Sequence, residues 1–262
     1  MKAFVLPGVL EDDPPEVAAL WAHGCRGLAQ RGTEVVAWFD DVVAFDDPAL
    51  EARGRWEAEG DVDWLAKYYA DLAPVRLRGL VVAPTHAPVE LHAGQRALWL
   101  DPGMAFGTGH HPTTRSVLEA LEAHDLAGRR VLDVGAGTGI LAVAADLLGA
   151  ATAHGVDVDP ATVPVARATA ERNRSRATFE VGELDPARPA HRADVLCANL
   201  FAEAHVALAP AYARALPSGG TLLAAGVLTT KADAVATALE EAFDVTARTV
   251  EGEWTAFVAV RR

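Results

Sequence analysis

Residues 131–141 read Val-Leu-Asp-Val-Gly-Ala-Gly-Thr-Gly-Ile-Leu. A short apolar run enters a turn with three glycines in five residues, then leaves it in a second apolar run. That order predicts a buried strand, a tight loop and a helix. Glycine lets the backbone take positive φ and come close to a ligand. A helix start just beyond such a loop favours anionic groups. The pattern therefore restricts the chain to an open α/β sheet with a ligand cleft at its strand ends.

The spacing narrows the ligand. A nicotinamide dinucleotide fingerprint needs Gly-x-Gly-x-x-Gly, whose third glycine permits close helix–strand packing. Here that position is Ile140, and the spacing is Gly-x-Gly-x-Gly. Asp133, two residues before Gly135, suits a cationic ligand better than a pyrophosphate. Asp157 closes the next strand, 22 residues after Gly135, and a carboxylate there can accept hydrogen bonds from both ribose hydroxyls. S-adenosyl-L-methionine carries an ammonium, a sulfonium, a carboxylate and a ribose, so it fits Gly135, Gly137, Asp133 and Asp157 together. Gly182-Glu183-Leu184 reads either as an adenine contact through Glu183 or as a plain turn. Cys197-Ala198-Asn199-Leu200 ends a further strand. Asn199 reads either as an acceptor facing an amine in the cleft or as the cap of the next helix.

From about residue 79, apolar strands alternate with helical segments, as in βαβ units around a mainly parallel sheet. The expected strands are 130–134, 153–157, 178–181, 195–198, 221–225, 243–250 and 254–260. Only Glu251-Gly252-Glu253 separates the last two, which predicts a hairpin and an antiparallel final strand. Residues 1–45 read as a small α/β unit: a strand at 3–6, a helix from Pro14, and strands at 25–29 and 33–39 joined at Arg31-Gly32. Trp64, Leu65, Tyr68, Tyr69 and Leu72 have helical spacing before Pro74. The expected division is a substrate-recognition domain at 1–53, a linker helix at 54–78 and a catalytic domain at 79–262.

Composition limits the partners. The net charge is −13, and residues 1–72 hold fifteen Asp and Glu against six Lys and Arg. Such a surface repels phosphate backbones and attracts basic proteins, so direct nucleic-acid binding is not expected. Two cysteines, Cys25 and Cys197, have no metal-ligand spacing and fit a reducing compartment. Met1-Lys2 leads directly into a strand-like run with no signal segment, and the most apolar stretch, 140–156, is interrupted by Asp146 and His154. A cytoplasmic protein away from membranes, and a monomer, is expected.

Upstream of the loop stands Pro102-Gly103-Met104-Ala105-Phe106-Gly107-Thr108-Gly109-His110-His111, followed by Thr113-Thr114-Arg115. The paired histidines lack a third ligand at metal spacing, so no metal is expected; a loop closing over cofactor is. This motif, with Asp-Val-Gly-Ala-Gly-Thr-Gly-Ile-Leu, Gly-Val-Asp-x-Asp-Pro, Ala-Asn-Leu and the closing Gly252-Glu253-Trp254, resembles the PrmA family. Members of that family methylate large-subunit ribosomal protein eleven. The resemblance runs along most of the chain.

It implies α/β architecture: a small ferredoxin-like N-terminal domain that recognises the ribosomal protein, and a class I methyltransferase domain, Rossmann-like, with a seven-stranded sheet. It implies an S-adenosylmethionine-dependent protein lysine N-methyltransferase acting on lysine ε-amines and an N-terminal α-amine. Cofactor contacts are implied at Thr114, Gly135, Asp157 and Asn199, with Phe106, Gly107, Thr108 and Gly137 nearby. In the expected mechanism, Asn199 Oδ1 and the Leu200 carbonyl accept the amine hydrogens. The competing readings are a methyltransferase for another protein or a small molecule, and a non-catalytic cofactor-binding assembly protein.

Overall fold

The computed structural model describes residues 2–8, 19–20, 23–25, 27–45, 48–57, 73–85, 88–100, 107 and 109–262. The chain divides into two compact units, Met1–Lys67 and Tyr68–Arg262.

The first unit carries β1 (Lys2–Pro7), β2 (Gly27–Arg31), β3 (Glu34–Phe39), helix α1 (Pro48–Arg53) and β4 (Arg55–Glu57). The sheet order is β2-β3-β1-β4, with antiparallel neighbours, the arrangement of a ferredoxin-like fold. Side chains alternate across a strand. Phe4, Leu6, Ala37 and Phe39 therefore share one face with Leu20, Phe45 and Leu50, while Ala3, Val5 and Val36 take the other. Trp56 stacks on Phe45 with ring centroids 5.9 Å apart. Strand β4 falls inside the span expected as linker helix, because Arg55–Glu57 pairs with β1. Of the helix expected from Pro14, Ala19 and Leu20 are helical and the rest lies outside the described residues, as do residues 58–72 of the linker.

The second unit opens with a three-stranded sheet that the sequence reading did not contain: β5 (Val75–Arg76), β6 (Leu80–Ala83) and β7 (Arg96–Trp99). Helix α2 (Pro112–Ala123) follows. The main sheet then alternates strand and helix: β8 (Arg130–Val134), α3 (Ile140–Leu147), β9 (Thr152–Asp157), α4 (Thr162–Arg172), β10 (Thr178–Val181), β11 (Val195–Asn199), α5 (Ala202–Ala215), β12 (Thr221–Leu228), α6 (Ala232–Glu240), β13 (Phe243–Glu251) and β14 (Trp254–Arg261).

The seven strands lie in the order β10-β9-β8-β11-β12-β14-β13. All run parallel except β14, which inserts antiparallel between β12 and β13, so the expected antiparallel last strand and hairpin are present. Both sheet faces are covered. Val131, Cys197 and Leu223 pack with α3 and α4 residues such as Val143 and Ala166; Leu132, Leu196 and Leu222 pack with Tyr212, Val235 and Leu239 of α5 and α6. Burial on two faces explains why these strands read as continuous apolar runs. The chain winds outward from β8 to β10, then returns across β8 to β11. That reversal is the topological switch point where α/β sheets bind ligands. No described helix is long and apolar enough to cross a membrane.

Candidate active site

At the switch point, a cavity of about 550 Å³ opens beside the ends of β8, β9 and β11. Small-molecule sites fall in the range of about 300–1,000 Å³. Gly107, Thr114, Gly135, Gly137, Asp157, Asn199 and Leu200 all line it. Phe106 and Thr108 lie outside the described residues.

The floor is backbone. Gly135 and Ala136 donate their N–H groups to the Val156 carbonyl at 2.9 and 3.2 Å, which ties the loop to β9. Gly135 has φ +76°, a backbone angle that favours glycine, and a Cβ there would push on the Leu200 side chain. Thr138 Oγ1 donates to the Gly107 carbonyl at 2.7 Å and holds the upstream motif against the loop. Helix α3 begins directly beyond, with Gly139 as its N-cap.

The β9 end supplies the carboxylate. Asp157 Oδ2 accepts the Gly137 N–H at 2.8 Å, and Oδ1 accepts the Asp159 N–H at 3.0 Å. A carboxylate offers about four lone-pair sites. Both oxygens are thus fixed in place and each keeps capacity to accept from a diol.

The β11 end supplies the amide. Asn199 Nδ2 donates to Thr114 Oγ1 at 3.2 Å, which orients Oδ1 away from helix α2. The cap of α5 is Phe201, without a side-chain cap bond, so Asn199 is not the helix cap. Leu200 is anchored from below. The Ala225 carbonyl accepts both the Leu200 N–H at 3.0 Å and Nε2–H of the fully buried His205 at 2.9 Å. Burial holds the His205 pKa below its ordinary value, consistent with a neutral ring whose Nδ1 faces Tyr212 OH at 3.3 Å.

Two expected contacts sit elsewhere. Asp133 is fully buried under the loop and does not line the cavity. Neither of its oxygens makes a hydrogen bond of full geometry, the nearest donor being the Ala142 amide. Desolvation raises its pKa to about 7, with the Ala142 amide opposing and the Asp157 charge adding to the rise. Glu183 is exposed and lies off the cavity lining, as a plain turn would place it.

Phe201 and Gly226 line the cavity as well, and so do His111 and Trp254, which the sequence motifs contain without a role in cofactor or amine binding. His111 caps α2, its Nδ1 2.8 Å from Thr113 Oγ1. Its ring meets the Trp254 ring edge-on at 5.1 Å. The ion pair between Arg115 and Glu251 holds the β13–β14 hairpin on the same helix, so Trp254 reaches the cavity from the far end of the chain.

Among the described residues, His154, Glu180 and His191 bring potential metal-ligand atoms within 4.8 Å of one another. Their hydrogen bonding disfavours a metal. His191 Nδ1 accepts the Asp185 N–H at 2.9 Å; Nε2 therefore carries the proton, donates to Glu180 Oε1 at 2.6 Å and has no lone pair for a cation. Arg188 also grips Glu180, at 2.6 Å. The cluster clasps β9 and β10.

The family model described as "Ribosomal protein L11 methyltransferase (PrmA)" matches residues 11–262. The ribosomal protein L11 methyltransferase of Deinococcus radiodurans is 45% identical, covering 100% of this chain and 99% of that protein. Its counterpart in Thermus thermophilus is 44% identical, with 97% of each chain covered. A solved ribosomal protein L11 methylase from Lactobacillus delbrueckii subsp. bulgaricus superposes with a TM-score of 0.66 at 27% identity, covering 73% of this chain and 100% of that one. The sheet order, the glycine loop with its strand-end carboxylate, and full-length likeness agree: the chain belongs to the ribosomal protein L11 methyltransferase (PrmA) family.

Proposed function

We propose that this protein transfers methyl groups from S-adenosyl-L-methionine to amines of ribosomal protein L11, at lysine ε-amines and the N-terminal α-amine. When bound, the cofactor supplies a methyl group already activated by its sulfonium charge. The chain's own residues then bind, orient and desolvate.

Asp157 accepts the ribose hydroxyls, and the Gly135–Gly137 backbone with the α3 N-terminus faces the polar tail. Thr114 contacts the cofactor and holds the Asn199 amide through its hydroxyl. Asn199 Oδ1 and the Leu200 carbonyl accept the two hydrogens of a neutral amine and aim its lone pair at the methyl. A lysine amine must first lose a proton, at a cost of about 4–5 kcal/mol at pH 7 from its reference pKa. Removal of the amine from water as it enters the cavity, past Phe201, lowers that cost by disfavouring the ammonium. The proton leaves to solvent before the amine seats. The acidic N-terminal unit docks the basic protein substrate by charge complementarity. The protein works in the cytoplasm as a monomer.

One observation carries the reading: the cradle with Asp157 and the amide held by Thr114 share a single cavity. Incubation with methyl-labelled cofactor and purified L11 tests it. Label on L11 amines is expected. Cofactor binding without transfer would support a non-catalytic assembly protein, and transfer to a small amine but not to L11 another substrate.

A further inference from the structure

Strand β12 pairs with β11 in register as far as Asn199↔Ala225. Its register against β14 breaks between Ala224 and Val227. Gly226 stands at that break with φ +86° and lines the cavity. A Cβ on Gly226 would lie 2.5 Å from the Leu200 carbonyl oxygen and 2.8 Å from Asn199 Oδ1. Carbon–oxygen contacts settle at about 3.3–3.6 Å. The two oxygens assigned to the amine therefore flank Gly226 so closely that residue 226 can carry no side chain without displacing them.

We infer that Gly226 sizes the amine slot, and through it decides whether a nitrogen that already carries a methyl can seat for another transfer. The inference rests on the reading of Asn199 and Leu200 as the amine acceptors. A primary amine presents two N–H groups to these oxygens at about 2.7–3.2 Å and its lone pair to the methyl. In each transfer an N–C bond forms and the cofactor's S–C bond breaks. The sulfur leaves as a neutral thioether, and the nitrogen becomes an ammonium that loses its proton to solvent. The next round brings an N-methyl where a hydrogen stood. That methyl needs more room beside the same oxygens, and any side chain at position 226 would crowd them further.

The test compares the full-length wild type, G226A and N199A on unmodified L11 and on L11 whose lysines have been chemically monomethylated. Calorimetry with S-adenosylhomocysteine, kcat and KM measured separately, and intact mass are the readouts. G226A is expected to bind the cofactor product within about threefold of wild type. Its kcat on the unmodified amine falls roughly tenfold, and its loss on the monomethylated amine is at least about tenfold larger again, so products stop at one methyl. Three results overturn the inference: the wild-type product distribution, equal losses on the two amines, or a loss of cofactor affinity that matches the loss of activity. If wild type methylates L11 and N199A does so as fast, the acceptor reading fails. If wild type transfers nothing to L11, the proposed function fails. Each of those takes the inference with it, by an outcome separate from its own failure.

Discussion

Thr114 Oγ1 accepts the Asn199 Nδ2–H at 3.2 Å. The bond joins helix α2 to the end of β11 across 85 residues of sequence, with Nδ2 toward Thr114 and Oδ1 left for the proposed amine. Were the amide flipped, its NH₂ group would meet the amine's own hydrogens. T114V removes the acceptor and should lower kcat roughly tenfold, the scale of one buried hydrogen bond at about 1–1.5 kcal/mol; T114S should restore most of it. N199A removes the substrate-facing oxygen itself and should cost roughly a hundredfold with the fold intact. Steady-state kinetics on L11 measure both, and a near-normal N199A would remove Asn199 from the mechanism.

Asp157 is held by two backbone amides, from Gly137 and Asp159. D157N turns one oxygen into a donor that faces an N–H, and removes the charge. Hydrogen bonds to charged groups contribute about 1.5–3 kcal/mol, so cofactor affinity should weaken by roughly tenfold to more than a hundredfold. Calorimetry reads this directly. An unchanged affinity would take Asp157 off the ribose.

Asp133 gives a pH signature. Its carboxyl titrates near 7 in the folded chain against an ordinary 3.8. Between those values the folded state holds a proton that the unfolded state has lost. Folding stability contributed by this group is thus greatest at low pH and declines as pH rises from about 4 to about 7. At roughly 1.4 kcal/mol per unit, the penalty above pH 7 is on the order of a few kcal/mol. D133N cannot titrate. The stability difference between D133N and wild type, measured by denaturation of the cofactor-free protein, should shift in favour of D133N across that window and level off above it. A difference independent of pH would contradict the assignment.

The acidity of residues 1–72 gives a salt signature. If the N-terminal unit docks L11 through charge, raising ionic strength from low to physiological should weaken binding mainly by slowing association. Stopped-flow rates at two salt concentrations measure it. A flat association rate would place recognition elsewhere.

The parts of the site legible in the sequence were local ones. Gly135, Gly137 and Asp157 declared themselves because a strand, a glycine turn and a strand-end acid lie within one βαβ unit. The central strands β8, β11 and β12 were legible because both their faces are buried. What escaped depends on distant pairing. Strand β4 is three residues long and exists through β1. The β5–β7 sheet is assembled from strands of two and four residues. Trp254 reaches the cavity through the hairpin held on α2, and Gly226 acquires meaning only beside Leu200 and Asn199. Asp133, expected at the cofactor, is fully buried and does not line the cavity. Alternation along β8 turns its side chain beneath the loop, a direction that spacing from the glycines does not reveal.

Calorimetric titration of S-adenosylhomocysteine into the purified chain tests the central claim most directly. The cavity between Gly135, Asp157 and Asn199 should bind one molecule per chain, with the heat largely lost in D157N. Absence of any binding heat, or equal binding by D157N, would contradict it.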